Sequence, residues 1–181
     1  RSLISRSGVN PSEVTGLIVS GQMMGAVLLD AKYEPVRPAI IWADHRSTAQ
    51  TAKLERIIGQ PRAYSLLGHR LDPTYSIEKV MWVRDNEPEV FAKVRHFCLA
   101  KEFVAYRLTG RLATDSSDAS APNAYDQALR AGSPDMIKAA GIAAARFPQL
   151  IDATATLAPF PGAAARPPEP PPTPPVHRAA G

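Results

Sequence analysis

The chain is poor in the features that most directly declare a function. Its 181 residues hold one cysteine, Cys98, in the apolar setting His96-Phe97-Cys98-Leu99. A single thiol excludes an internal disulfide, fits a reducing compartment, and reads as a small buried hydrophobe rather than a nucleophile. The four histidines, His45, His69, His96 and His177, show no metal-ligand spacing with one another or with Cys98. No apolar run is long enough to cross a bilayer and no signal peptide is visible. A cytoplasmic location with no membrane partner is the expectation. The net charge is +4, yet Lys and Arg are dispersed, without a basic run or interleaved aromatics. Nucleic acid is therefore not an expected partner.

What is present is an ordinary globular composition, 45% hydrophobic and 21% charged, and enough length for one domain with a real core. The most informative stretch runs from Gly16 to Arg46. Strands are expected over roughly 14–20, 25–30 and 38–42, with β-branched residues supporting the first and third. Polar or chemically distinctive residues follow the first and third runs: Gln22, Met23, Met24, Trp42, Asp44 and Arg46. Side chains just beyond strand ends are where α/β folds place ligands.

Helical patterns fill most of the remainder. Residues 1–13 read as the tail of a helix and a turn. Ser47-Thr48-Ala49-Gln50 has the form of a capping box, opening a helix that Gly59 and Pro61 stop. A short helix is expected from Pro61 to Leu67, and another from Ser76 to Asn86 with Ile77, Val80, Met81 and Val83 inward. Pro88 starts a further short helix. His96 to Leu99 is strand-like, Lys101 to Leu108 helical with a stop at Gly110, and Ser133 to Ala140 a last helix. Asp115 to Ser120 is rich in residues that hydrogen-bond their own backbone, hence a loop or cap. Residues 158–181 differ: nine of the chain's eighteen prolines fall in 159–181 and hydrophobic patterning stops. Such a tail is expected to be disordered or polyproline-like, either a ligand for a proline-recognition domain or a non-native, frame-shifted end. Residues 1–157 form the expected folded unit. The opening on Arg1 rather than methionine suggests a fragment.

Several blocks resemble, in order, the FGGY family of carbohydrate kinases, xylulokinases most of all. Gly21-Gln22-Met23-Met24-Gly25 resembles the family's GQMHG, and Arg37 to Arg46 its RPAILWNDxR. Lys79 to Arg84 with Asn86 to Glu89 resembles KLLWLRENEPE; Tyr106 to Gly110 and Thr114 to Ser120 resemble YRLTG and TDxSDAS. The resemblance implies an α/β fold: part of an actin-like, RNase H-like ATPase domain, a mixed sheet with flanking helices. It implies ATP-dependent phosphorylation of a small sugar or polyol, with ATP and Mg²⁺ serving the parent enzyme. The family's DxGTSS phosphate loop and its GGGDN-like segment with the catalytic aspartate have no counterpart in these residues. The chain alone is thus expected to be inactive, to contain no catalytic residue and no metal site, and to bind no cofactor tightly. Sheet edges left uncovered in a partial domain predict self-association, as a homodimer or an aggregate. A non-catalytic sugar-binding or interaction module derived from a kinase is the alternative.

The resemblance also places Met23 and Met24 where the family's MH pair touches the sugar. Met24 stands in for a histidine that donates a hydrogen bond, and a thioether is only a weak acceptor. That departure points toward a ketose or polyol other than xylulose; alternatively both methionines fill gaps in the core. Trp42 either faces sugar C–H groups with its indole or packs at a strand end. Asp44 and Arg46 either bind hydroxyls and hold the pocket loop or form a surface ion pair of little energetic weight. Thr74-Tyr75 falls near another sugar-side loop. Asp115 and Asp118 read as Asx-type caps rather than as a catalytic pair.

Overall fold

The computed structural model describes residues 2–158. The proline-rich segment 159–181, with His177 and the expectation of a disordered tail, lies outside the described residues. A short helix α1 (Ser2–Ser7) and a 3₁₀ turn at Pro11–Glu13 open the chain, and Asn10 caps the turn by accepting from the Ser12 amide. The helical periods were well read. Helices α2 (Thr48–Ile58), α3 (Gln60–Leu67), α4 (Ser76–Asn86) and α5 (Pro88–Phe91) lie within a residue or two of the expected ranges. So do α6 (Ala100–Thr109) and α7 (Pro134–Ala140). Gly110 ends α6 in the left-handed region, at φ 74°, where only glycine sits without strain.

Strands are short and pair in twos. β1 (Val27–Leu29) runs antiparallel to β2 (His96–Cys98), with Leu28 opposite Phe97. β3 (Ala113–Asp115) is parallel to β6 (Gln149–Ile151), and β4 (Tyr125–Asp126) forms a small hairpin with β5 (Ala131–Gly132). The last two pairs were not expected from the sequence. The expected strand at 14–20 does not form: no strand among the described residues pairs with the segment to complete a ladder. The expected strand at 38–42 contracts to a bridge between Ile40 and Ala26. The capping box at Ser47 does not form either. Ser47 is fully buried and its hydroxyl donates to the Pro73 carbonyl at 2.8 Å, while Gln50 donates to Asp85 at 3.0 Å.

β1 separates two apolar layers, because successive side chains of a strand point to opposite faces. Leu28 enters the main core with Ile40, Leu54, Leu67, Val80 and Phe97. Val27 and Leu29 join Cys98 in a smaller cluster covered by Tyr33, Phe103 and Leu112. α4 is the central helix. Its residues Ser76 to Val83 are buried except Trp82, which is half-buried, and it packs on α2, α5 and α7.

Candidate functional site

Burying the whole first half of α4 forces its two adjacent charges, Glu78 and Lys79, into the interior. Long charged side chains are almost never fully buried unless paired. Lys79 finds its partners in backbone oxygen. Its ammonium donates to the carbonyls of Thr74 (2.5 Å), Met24 (2.7 Å) and Ile41 (2.8 Å), with the Trp42 carbonyl at 3.3 Å. An ammonium has three N–H groups; the three short contacts use them, and the fourth oxygen completes an electronegative cage. Burial pulls Lys79 down to about 8, opposed by the nearby charges of Asp44, Glu78 and Asp72.

The cage matters because of where its oxygens come from. Met24 lies in the loop before β1, Ile41 and Trp42 follow the Ile40 bridge, and Thr74 lies in the turn before α4. One buried cation therefore gathers three separate loops. Further bonds register them: Ala26 and Ile40 exchange amide–carbonyl bonds of 2.8 and 3.0 Å, and the Ser76 hydroxyl donates to the Gly25 carbonyl at 2.7 Å. Gly25 eases this approach, since a Cβ there would stand 3.2 Å from the Ile40 oxygen, closer than ordinary contact. Met24 adopts φ 63°, a left-handed conformation that costs a non-glycine residue energy and recurs at ligand sites.

Around this hub stand the residues singled out from the sequence. Trp42 is 54% exposed, so the reading of it as a packed core residue fails. Gln22 is exposed, and Met23 and Met24 are half-buried rather than sealed in the core. Asp44 and Arg46 form a two-pronged pair, with Nε donating at 2.9 Å and Nη2 at 2.7 Å. The guanidinium also stacks 4.7 Å above the Trp82 ring. The Arg46 hydrogen bond holds the Asp44 carboxyl below the ordinary carboxylate range. These two side chains thus fix the loop after Trp42, with Asp44 retaining a contact by charge with Lys79. Asp72 accepts from the amide and hydroxyl of Thr74, at 3.0 and 2.8 Å, fixing the third loop. Tyr75 stacks on His69 with ring centres 4.4 Å apart.

A second charged cluster adjoins the first loop. Lys101, at the start of α6, reaches Asp115 and Asp118, both at 2.6 Å. A Cβ on Gly21 would lie 3.2 Å from the Lys101 Cβ, so the loop rests directly on this helix. Asp115 also caps its own loop, accepting from the Ser117 amide at 3.0 Å. Burial alone would raise Asp115, but the hydrogen bonds from Lys101 and Ser117 outweigh it and hold it at about 2. The Asx-cap reading therefore holds for Asp115, which accepts from the Ser117 and Asp118 amides, whereas the Asp118 carboxylate is engaged by Lys101. Lys79 and Lys101 were the residues that sequence reasoning passed over. The available signal was Glu78-Lys79 within an otherwise apolar helical face. Among the described residues no group of three or more His, Cys, Asp or Glu side chains is placed to hold a metal ion. Nor is any helix among them long and apolar enough to cross a membrane.

The short strand pairs, the helices around them and the three gathered loops make an α/β lobe. Residues 1–165 match the model of the N-terminal domain of the FGGY family of carbohydrate kinases, and the chain belongs to that family. It is 35% identical over 140 residues to the xylulose kinase of Escherichia coli (strain K12), covering 77% of this chain. It is 33% identical over 150 residues to that of Bacillus subtilis (strain 168), covering 83%. The chain spans 28% and 30% of those two relatives. Among solved structures, the xyloylose (xylulose) kinase from Brucella ovis superposes with a TM-score of 0.76 at 33% identity, covering 83% of this chain and 30% of that one. The gluconate kinase from Lactobacillus acidophilus superposes with a TM-score of 0.77 at 21% identity, over 85% of this chain and 31% of that one, which shows the shared fold alone.

Proposed function

We propose that this chain forms one wall of the sugar pocket of an FGGY carbohydrate kinase. The parent reaction is ATP-dependent phosphorylation of a small ketose or polyol in the cytoplasm. The observation that carries this reading is the Lys79 cage, which brings the loops bearing Gln22, Met24, Trp42 and Thr74 to one place. Trp42 offers an indole face to sugar C–H groups and an N–H to a hydroxyl. Gln22 supplies an exposed amide that both donates and accepts. Asp44 and Arg46 hold the Trp42 loop in position. Met24 contributes its carbonyl to the cage, and its thioether offers no donor to the sugar, which favours a substrate other than xylulose among ketoses and polyols.

In the parent reaction ATP supplies the phosphoryl group, and Mg²⁺ neutralises the phosphate charge. The described residues present no metal-ligating cluster, and the sequence has no counterpart of the family's phosphate loop. No step of phosphoryl transfer is therefore assigned to side chains of this chain. Its residues bind and orient sugar, and by itself the chain is expected to turn over no ATP.

The test is a tryptophan-fluorescence titration with D-xylulose, D-ribulose and glycerol, repeated on Trp42→Phe. A saturable change with at least one sugar, lost in the variant while its unfolding midpoint is unchanged, is the expected result. Sugar affinity indifferent to Trp42, or ATP-dependent sugar phosphorylation by the purified chain, overturns the reading.

A further inference from the structure

A cavity of about 720 Å³ lies between β2, the start of α6, β3 and the segment from Gly132 to Leu150. None of the residues from Gln22 to Arg46 lines it, so it is separate from the sugar wall. Its walls are apolar and partly aromatic: Phe97, Tyr125, Ile137, Ile142, Phe147 and Leu150. Phe97 and Phe147 meet edge to face, with ring centres 4.7 Å apart. Lys138, Ala143 and Ala144 also line it and are exposed, which marks the mouth. An open apolar cavity names no ligand by itself; the course of the chain supplies one.

Leu150 belongs to β6, which pairs with β3, so the strand that leads to the last described residues forms part of a cavity wall. Beyond β6 the chain turns, and Asp152 accepts from the Thr154 amide and hydroxyl at 2.9 and 2.7 Å. The Leu157 carbonyl then accepts from Arg111 Nη1 at 2.6 Å. That bond returns the chain to the entry of β3, about 10 Å along the strand from Thr114, the partner of Leu150. Residues 159–169 give the stretch after them a reach of up to about 34 Å, at ~3.1 Å per residue. That stretch, Pro170-Pro171-Pro172-Thr173-Pro174-Pro175, is therefore tethered within range of the cavity, at an effective concentration of order millimolar.

We propose that the cavity is the docking site of the chain's own residues 170–175, held there as a polyproline helix. The chemistry of the segment fits the walls. Proline fixes its own φ, so little conformational entropy is lost when such a helix docks. Prolines three apart share one face of it, Pro171 with Pro174 and Pro172 with Pro175, and rings so spaced seat on aromatic-lined grooves. Proline also has no backbone N–H, so among these six residues only Thr173 brings a main-chain donor. An ordinary peptide would leave a donor at every residue unpaired against apolar walls. Charge agrees at the mouth, where Lys138 is opposite in sign to Glu169, the one acidic residue in 159–181. The proline-rich segment thus has a receptor within its own chain, independent of sugar binding.

The test uses the full chain with a nitroxide on Thr173→Cys and reads the loss of amide signals by NMR. Cys98 is buried and burial pushes its thiol up, so only position 173 takes the label. The expected result is loss of the signals of Lys138, Ala143 and Ala144, with those of Gln22 and Trp42 spared, unchanged on dilution. Substituting the prolines together (Pro170→Ser, Pro171→Ser, Pro172→Ser, Pro174→Ser and Pro175→Ser) restores the lost signals. Lys138→Glu, at an exposed position, weakens the loss, and Glu169→Lys added to it brings the loss back. Loss that survives the proline substitutions is tethering without docking and overturns the proposal. So does loss that fades on dilution, the result for docking between copies. No localised loss, or loss indifferent to both charge reversals, overturns it as well.

Discussion

Residues 14–20 and 26–29 are both short apolar runs, a few positions apart, and they meet opposite fates. Leu28 and Leu29 are wholly buried in β1, whose backbone pairs with β2. Ile18 is 94% exposed and Leu17 largely so, in a stretch that pairs with no strand among the described residues. The same contrast recurs within two residues: Ile40, bridged to Ala26, is buried, and Ile41 beyond it is exposed. β-branched, apolar composition permits a strand; a neighbouring backbone that supplies the ladder decides it. The interior charges follow the same logic. Lys79 lies buried where four carbonyls converge, whereas Glu78 beside it has one good partner, the Asn123 amide at 2.6 Å.

Four substitutions test these contrasts. Leu28→Ala should have the largest effect, roughly 2–5 kcal/mol in denaturant unfolding, because it removes a fully buried side chain and leaves a cavity. A loss below about 1 kcal/mol would mean that β1 is not the centre of the core.

Glu78→Gln comes next and carries a pH signature. Burial raises Glu78 from 4.5 to about 8, so between those values the native state holds a proton that the unfolded chain has released. The stability tied to that proton is full below the lower value and is lost as pH rises toward the upper one. The glutamine variant lacks this slope and can bond both ways with Asn123, whose Oδ1 has no partner. It should be more stable than the parent at pH 8, by about 4 kcal/mol, with the difference vanishing near pH 4.5. A difference constant across that range would contradict burial of a neutral Glu78.

Lys79→Met should cost about 2 kcal/mol, since the carbonyls it leaves unpaired outweigh the relief of desolvation. Its sharper signature is local. Amide exchange should speed up at 22–25, 41–44 and 72–75 and remain slow in α3. Uniform acceleration would break the link between the cage and the loops. Ile18→Ala is the smallest change, expected within about 0.5 kcal/mol of the parent. A cost near that of Leu28→Ala would show that 14–20 is paired after all.

The helices were legible because their signals are local: Pro134 at a first turn, Gly110 at a left-handed stop, Ser133 accepting from the Met136 amide. The site loops were legible through the resemblance and through the apolar runs that precede them. What escaped was tertiary. The Ser47 hydroxyl serves Pro73, 26 residues away, instead of its own helix. Lys79 reaches back 55 residues to Met24. No window of sequence encodes such pairings, although a lysine within an apolar helical face was a clue. The short pairs β3–β6 and β4–β5 were missed for a related reason, since two- and three-residue strands are too brief to show a period.

The most direct test of the sugar-wall account is a residue-resolved amide chemical-shift map of the chain titrated with D-ribulose and glycerol, beside D-xylulose. The account predicts saturable shifts clustered at Gln22–Met24, Trp42–Arg46 and Thr74–Tyr75, three segments far apart in sequence that move with one dissociation constant. Shifts confined to other surfaces, or none at saturating sugar, would contradict it.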